Sequence, residues 1–278
     1  MDQPHTAAES RIDPLGPFWT RTWFLNTLSA ITFVGLVTFH AWWWSGHGRP
    51  WSWMLLLTTP LIAFVPAGIV VKLSRRASTR SWALRNGFEY RARLGGAPPA
   101  WDFPPFSGTR ARRIRLRDGM TGRIGPYPAT FFHYTWWNNR RLFASSHYRN
   151  VFTLRLPAAL PRLTVGVTLD TSTGDTVRFE SADFDDRFTV HSTDPAFAHA
   201  VLTPRTIDAL VELSRTAGSV MLTKFEIADD LLVAVSTVGN RPEQITEIFD
   251  AMRIIAVGIP RFVWTDRGVA PPMTAQNR

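Results

Sequence analysis

The chain has 278 residues, a formal charge of +9 at pH 7 and no cysteine. The missing cysteine excludes disulfides, thiolate nucleophiles and cysteine-ligated metals. Lys72 and Lys224 are the two lysines among 31 basic residues, an arginine bias typical of GC-rich coding, so the net charge does not by itself point to nucleic acid.

Residues 1–21 form a polar tail with Asp13-Pro14 and Gly16-Pro17 as turn formers. From Thr22 to Gly48 no residue carries a formal charge, and a second uncharged run extends from Trp51 to Val71. Crossing a hydrocarbon core of about 30 Å takes roughly 20 helical residues. The two runs therefore predict a transmembrane hairpin over 22–71, with spans at about 23–44 and 51–71. Trp19, Trp23, Trp42–Trp44, Trp51 and Trp53 sit at the span ends, where indole rings favour the membrane interface. Pro60 and Pro66 lie inside the second span, which a membrane helix tolerates better than an aqueous one. Neither run shows the polar face of a helix in water. The joining loop carries only Arg49, whereas Arg11 and Arg21 precede the spans and Lys72, Arg75, Arg76, Arg80 and Arg85 follow them. Basic residues stay inside, so both termini are expected in the cytoplasm of a two-span cell-membrane protein. The first run lacks a small-residue cleavage site and is expected to remain in the mature chain. No Asp, Glu, Lys or Arg falls within either span, which argues against a transporter acting alone.

Residues 72–109 read as a basic juxtamembrane helix (Leu73–Tyr90) and a linker rich in Gly and Pro. Lys72, Arg75, Arg76 and Arg80 are its candidate contacts with anionic inner-leaflet lipid. A domain over 110–267 follows. Strands are expected at Arg112–Arg117, Ala129–Trp137, Tyr148–Leu156, Leu163–Leu169, Thr176–Phe179 and Arg187–His191. Asp118-Gly119 reads as a hairpin turn, Asn138–Ser146 as a polar loop and Asp183–Asp186 as a turn. Asp194-Pro195 and Thr203-Pro204 are helix starts, a capping side chain followed by proline. Val220–Ile227 and Leu231–Val238 read as a strand pair around Asp229-Asp230. Pro242 opens a last helix, with Ile245, Ile248, Phe249, Met252, Ile255, Ala256 and Ile259 on one face. Residues 268–278 read as a disordered tail. Short turns between strands, with helices late, predict an α+β domain: a mostly antiparallel sheet with helices on one face.

Leu156–Pro161, Phe179-Glu180-Ser181, Phe184, Arg187, Phe188, Asp194-Pro195, Phe197-Ala198, Val201-Leu202, Pro204-Arg205 and Ile259–Trp264 resemble a family of uncharacterised actinobacterial membrane proteins. The resemblance spans about residues 80–268 and implies hydrophobic spans before an α+β domain. It implies no activity.

Chemical motifs are sparse. His40 and His47 lie at the outer end of the first span, and His191, Asp194 and His199 lie close in sequence. A metal site needs three or four convergent ligands, and the break between strand and helix separates the latter three. Asp183, Asp185 and Asp186 suit turn chemistry better than acid–base work. There is no phosphate-binding glycine loop and no nucleophile elbow. No catalytic, cofactor or metal residue is assigned. The most basic stretch contains Arg112, Arg113, Arg115 and Arg117 beside the aromatic strand Phe131–Trp137. It is a candidate patch for an anionic partner, against the simpler reading of a sheet core with a solvated arginine face. A membrane surface suits it better than nucleic acid. The favoured function is a non-enzymatic binding or scaffold module at the cytoplasmic membrane, with an unidentified protein or lipid partner. The alternatives are a tethered enzyme and a homo-oligomeric channel component.

Overall fold

The structure, a computed structural model, describes residues 27, 30–39, 42, 76–95, 99–107, 113–140, 143–167, 174–239 and 241–272. The chain divides into two compact units, Met1–Ala77 and Ser78–Arg278. The expected membrane hairpin falls largely outside the described residues. Among the described residues no helix is long and apolar enough to cross a membrane. In the first unit residues 30–39 are helical, with Ile31, Phe33, Val34 and Phe39 exposed.

The second unit is α+β. Helix α1 (76–85) stops at Gly87, whose φ of +71° lets the Phe88 N–H return to Ala83 O at 2.8 Å. The chain then forms strand β1 (Glu89–Arg93), where the sequence had suggested that helix continued to Tyr90. Strands β2 (Arg113–Ile124), β3 (Tyr127–Arg140) and β4 (Phe143–Gly166) form an antiparallel meander. Asp118-Gly119 is not the hairpin turn. Asp118 takes a φ of 51° at a bulge between Arg117 and Met120, and its carboxylate accepts a 2.6 Å bond from Tyr90 Oη. The turn is Gly125-Pro126, with Gly125 at φ +57° between the paired Ile124 and Tyr127. Nor are Asn138–Arg140 and Phe143–Ser146 loop, since they pair as the end of the β3–β4 ribbon.

β4 replaces the two strands expected at Tyr148–Leu156 and Leu163–Leu169. Its middle, with Pro157 and Pro161, slips register against strand β7 (Thr223–Ser236). Proline has no N–H for a ladder, so it belongs at such an irregularity. β7 likewise replaces the expected strand pair, and Asp229, at φ 53°, is its bulge opposite Leu160. Both strands exchange faces there. Leu154 and Leu156 share a core with Leu163 and Val165, and Ile227 shares it with Leu232. These residues differ in parity across each bulge. Strands β5 (Asp175–Val177) and β6 (Thr189–Ser192) complete the sheet beside the C-terminal half of β4.

Helices cover one face: α2 (Ala182–Asp185), α3 (Pro195–Val201), α4 (Pro204–Thr216), α5 (Gly218–Met221), α6 (Pro242–Gly258) and α7 (Arg261–Thr265). Asp194 and Thr203 cap α3 and α4 through the Phe197 and Thr206 N–H groups. The predicted apolar face of α6 is buried from Ile245 to Ala256. Phe249 stacks on Trp82 at 5.9 Å, and Trp82 Nε1 donates to Thr246 Oγ1 at 2.9 Å, which fixes α1 to α6. Tyr127 donates to Ala256 O at 3.2 Å, and burial pushes its hydroxyl pKa up to about 12. The expected C-terminal tail starts docked: the Val269 N–H returns to Trp264 O at 3.1 Å.

The opposite face carries a second, smaller core of Phe132, Tyr134, Trp136, Val151, Ala228 and Val233. Residues 99–107 cross it as a strap. Phe103 is buried in it, and Phe106 meets Tyr134 edge-on at 4.8 Å.

Candidate functional site

Strand periodicity places Arg115 and Arg117 on one face of β2. Their partners on β3 are Thr135 and His133, and Trp137 shares that face. Ser146, Tyr148 and Asn150 follow in turn on β4. Nearer the centre of the sheet this face is the main core, with Phe131 against Phe152 at 4.7 Å. His133 and Asn150 hydrogen-bond at its margin, and Asn150 Nδ2 donates to Val238 O at 2.7 Å. Pairing with β7 ends at Asn150–Ser236, so the ribbon beyond it has no β7 neighbour. There Tyr148 is 53% exposed and Arg115 is exposed. The Arg115 guanidinium lies 5.1 Å above the Trp137 ring, a cation–π contact. Arg93 of β1 stands directly opposite Arg117. Among the described residues no carboxylate lies within ion-pair distance of Arg93, Arg115 or Arg117, although Arg91 and Arg155 pair with Glu89 and Asp230.

The other expected basic contacts are spread apart. Lys72, Arg75 and Arg112 lie outside the described residues. Arg76 and Arg80 fall on α1, with Arg80 exposed. The aromatic run divides by parity. Phe131 enters the main core, and Phe132, Tyr134 and Trp136 enter the smaller one. Trp137 of the run meets Arg115, while Trp136 on the other face lies 5.8 Å from the Arg149 guanidinium. Sequence reading missed Arg93, because its register with Arg117 depends on β1 being a strand.

It also missed a buried charge network beneath the strap. Glu226 is 2% exposed. Lys224 Nζ lies 2.8 Å from its Oε2, and Arg162 Nε lies 3.7 Å from Oε1. Arg162 also binds Asp102 of the strap. Burial raises the Glu226 carboxyl above its ordinary range, and the two cations only partly pull it back. A charged residue at alternate positions of an apolar strand (Lys224, Glu226) was the available signal. Arg162 and Asp102 come from distant segments and left none.

The remaining candidates serve structure. Asp194 is occupied as a cap. His191 Nδ1 lies 3.4 Å from Gly174 O, and His199 packs on Phe179 at 4.9 Å. Asp183 bridges Arg215 at 2.5 Å and Arg187 at 3.3 Å, and the hydrogen bond from Arg215 above all lowers its carboxyl pKa. Asp185 accepts from Phe179 N, and the Asp186 N–H closes α2 on Ala182 O at 2.9 Å. Among the described residues no three His, Asp or Glu side chains converge as metal ligands. His40 and His47 lie outside those residues.

A family described as protein of unknown function (DUF3137) matches residues 156–255. The match lies inside the stretch that carries the resemblance to uncharacterised actinobacterial proteins. No curated protein matches the chain. Among solved structures, the crystal structure of the mycobacterial trehalose monomycolate transport factor A, TtfA, is similar, with a TM-score of 0.48 and 14% identity over 67% of this chain and 96% of that one.

Proposed function

We propose that the chain is a non-enzymatic binding module, anchored in the cytoplasmic membrane by a hairpin over 22–71, whose α+β domain holds an anionic partner on its arginine face. The observation that carries the reading is the row Arg93, Arg115 and Arg117, which among the described residues has no carboxylate within ion-pair distance, whereas Arg91 on β1 pairs with Glu89. Surface charge left unneutralised on an ordered sheet favours a ligand of opposite sign. The anchor rests on the two uncharged runs and their tryptophan ends. The exposed apolar side chains of the helix at 30–39 support it, since lipid is the solvent that suits them.

Thiol labelling on intact cells tests the arrangement, because the chain has no native cysteine. Gly46→Cys reports the loop between the spans, and Asp208→Cys an exposed position on α4. Gly174 is unsuitable. Its φ is +107°, and a Cβ there would lie 2.4 Å from the Ser192 carbonyl carbon. An impermeant reagent should label position 46 and spare 208. The reverse pattern overturns the orientation, and labelling of neither before lysis and both after it overturns the hairpin.

A further inference from the structure

From Arg110 to Arg149 the chain carries nine arginines and a single carboxylate, Asp118. That carboxylate is buried and accepts the Tyr90 hydroxyl. The β2–β3–β4 ribbon is therefore electropositive along its length, and its end extends past β7. The register gathers Arg115 and Arg117 with Trp137 and Tyr148 on one face of that end, and Arg93 joins from β1.

Like charges directly opposite in a sheet are destabilising. The Arg93–Arg117 pair thus costs stability that a bound anion would restore. The aromatics narrow the class of anion. Indole and phenol rings settle where headgroups meet hydrocarbon. One face of Trp137 is already taken by Arg115, which leaves a poorer platform for the base stacking that single-stranded nucleic acid requires. The surface is a sheet face rather than a groove, and its arginines alternate along one strand, as suits a planar array of phosphates.

We infer that this ribbon end is a binding site for anionic phospholipid headgroups, with Arg93, Arg115 and Arg117 meeting phosphate and Trp137 and Tyr148 seated at the interface. The inference rests on the membrane-anchored reading above and names the partner of that face.

The test uses the full chain in nanodiscs. One cysteine replaces Ser146, which is registered opposite Trp137, and carries an environment-sensitive fluorophore. A second preparation carries the fluorophore at Asp208 as control. The probe at 146 should blue-shift in discs containing phosphatidylglycerol and stay unshifted in pure phosphatidylcholine. High salt should reverse the shift, as screening of an exposed contact requires. Arg115→Glu with Arg117→Glu should abolish it, and the paired lysine variants should retain it. An equal response in both lipids, or none in either, overturns the assignment. So does a shift produced by a single-stranded oligonucleotide and not by the anionic lipid. Anchoring is read separately by resistance of the membrane-bound chain to alkaline carbonate. A resistant chain with no lipid-dependent shift overturns the headgroup site alone. A chain released by carbonate overturns the anchor, and vesicles of the two compositions added to it then decide the headgroup site on the same terms.

Discussion

Thr164 and Glu226 stand opposite one another in the β4–β7 register, both buried, and Thr164 Oγ1 has no hydrogen-bond partner among the described residues. The Lys224 ammonium lies 2.8 Å from Glu226 Oε2.

A pH dependence follows. Desolvation holds the folded-state pKa of Glu226 above its ordinary 4.5. The folded state therefore keeps a proton that the unfolded chain sheds. This contribution to stability is complete below the ordinary value and is lost as pH rises through the folded one. Glu226→Gln cannot titrate. Urea titrations across the acid-to-neutral range should show wild-type stability falling relative to the variant with rising pH, and parallel curves would refute the burial effect.

Charge reversal at Arg117 should separate stability from binding. Arg117→Glu turns the like-charged pair with Arg93 into an opposite-charged one. Stability should rise by about 0.2–1 kcal/mol, while association with anionic lipid falls. Loss of both in denaturation and lipid-binding measurements would mean that Arg117 serves the fold.

The two capped helices give a calibrated control. Asp194→Ala and Thr203→Ala each remove a side-chain acceptor from a helix N-terminus. Each should cost about 1 kcal/mol, and the headgroup response should be unchanged. A loss above roughly 3 kcal/mol would exceed capping and indicate a wider packing role.

Gly122 tests the contact between β2 and the segment after α1. A Cβ there would meet the Phe88 ring at 2.6 Å. Phe88 is buried and packed against Trp82 at 5.2 Å and Phe249 at 5.7 Å, so it has little room to yield. Gly122→Ala should destabilise by about 1–3 kcal/mol, and Gly122→Ala with Phe88→Leu should recover part of that loss. Thermal melts of both variants decide it.

The parts of the fold legible in sequence were those fixed locally. Asp194-Pro195, Thr203-Pro204 and the apolar stripe of the last helix each lie within a few turns of chain, and each formed as expected. Alternation also placed Arg115 and Arg117 on one face. The misreadings share a cause: residues typical of turns sit inside long strands as bulges. Asp118 and Asp229 adopt left-handed φ values within continuous strands, because the neighbouring strand holds the ladder on either side. Local propensity cannot distinguish such a bulge from a hairpin, since pairing is decided by the distant partner. The same limit hid Arg93 from Arg117 and Asp102 from Arg162.

The paired bulges at Leu160 and Asp229 also constrain how this chain can change in length. Both strands exchange faces at the same level. Deleting one residue from β7 at Asp229 would remove the bulge and restore continuous alternation there, so that Phe225 and Ile227 keep the face of Leu232 and Lys224 and Glu226 stay beneath the strap. A deletion between Ile227 and Leu232 that left the bulge in place would instead turn Phe225 and Ile227 away from the helices. Length variation in related sequences should therefore be tolerated at the bulge residue and resisted in the paired stretches beside it.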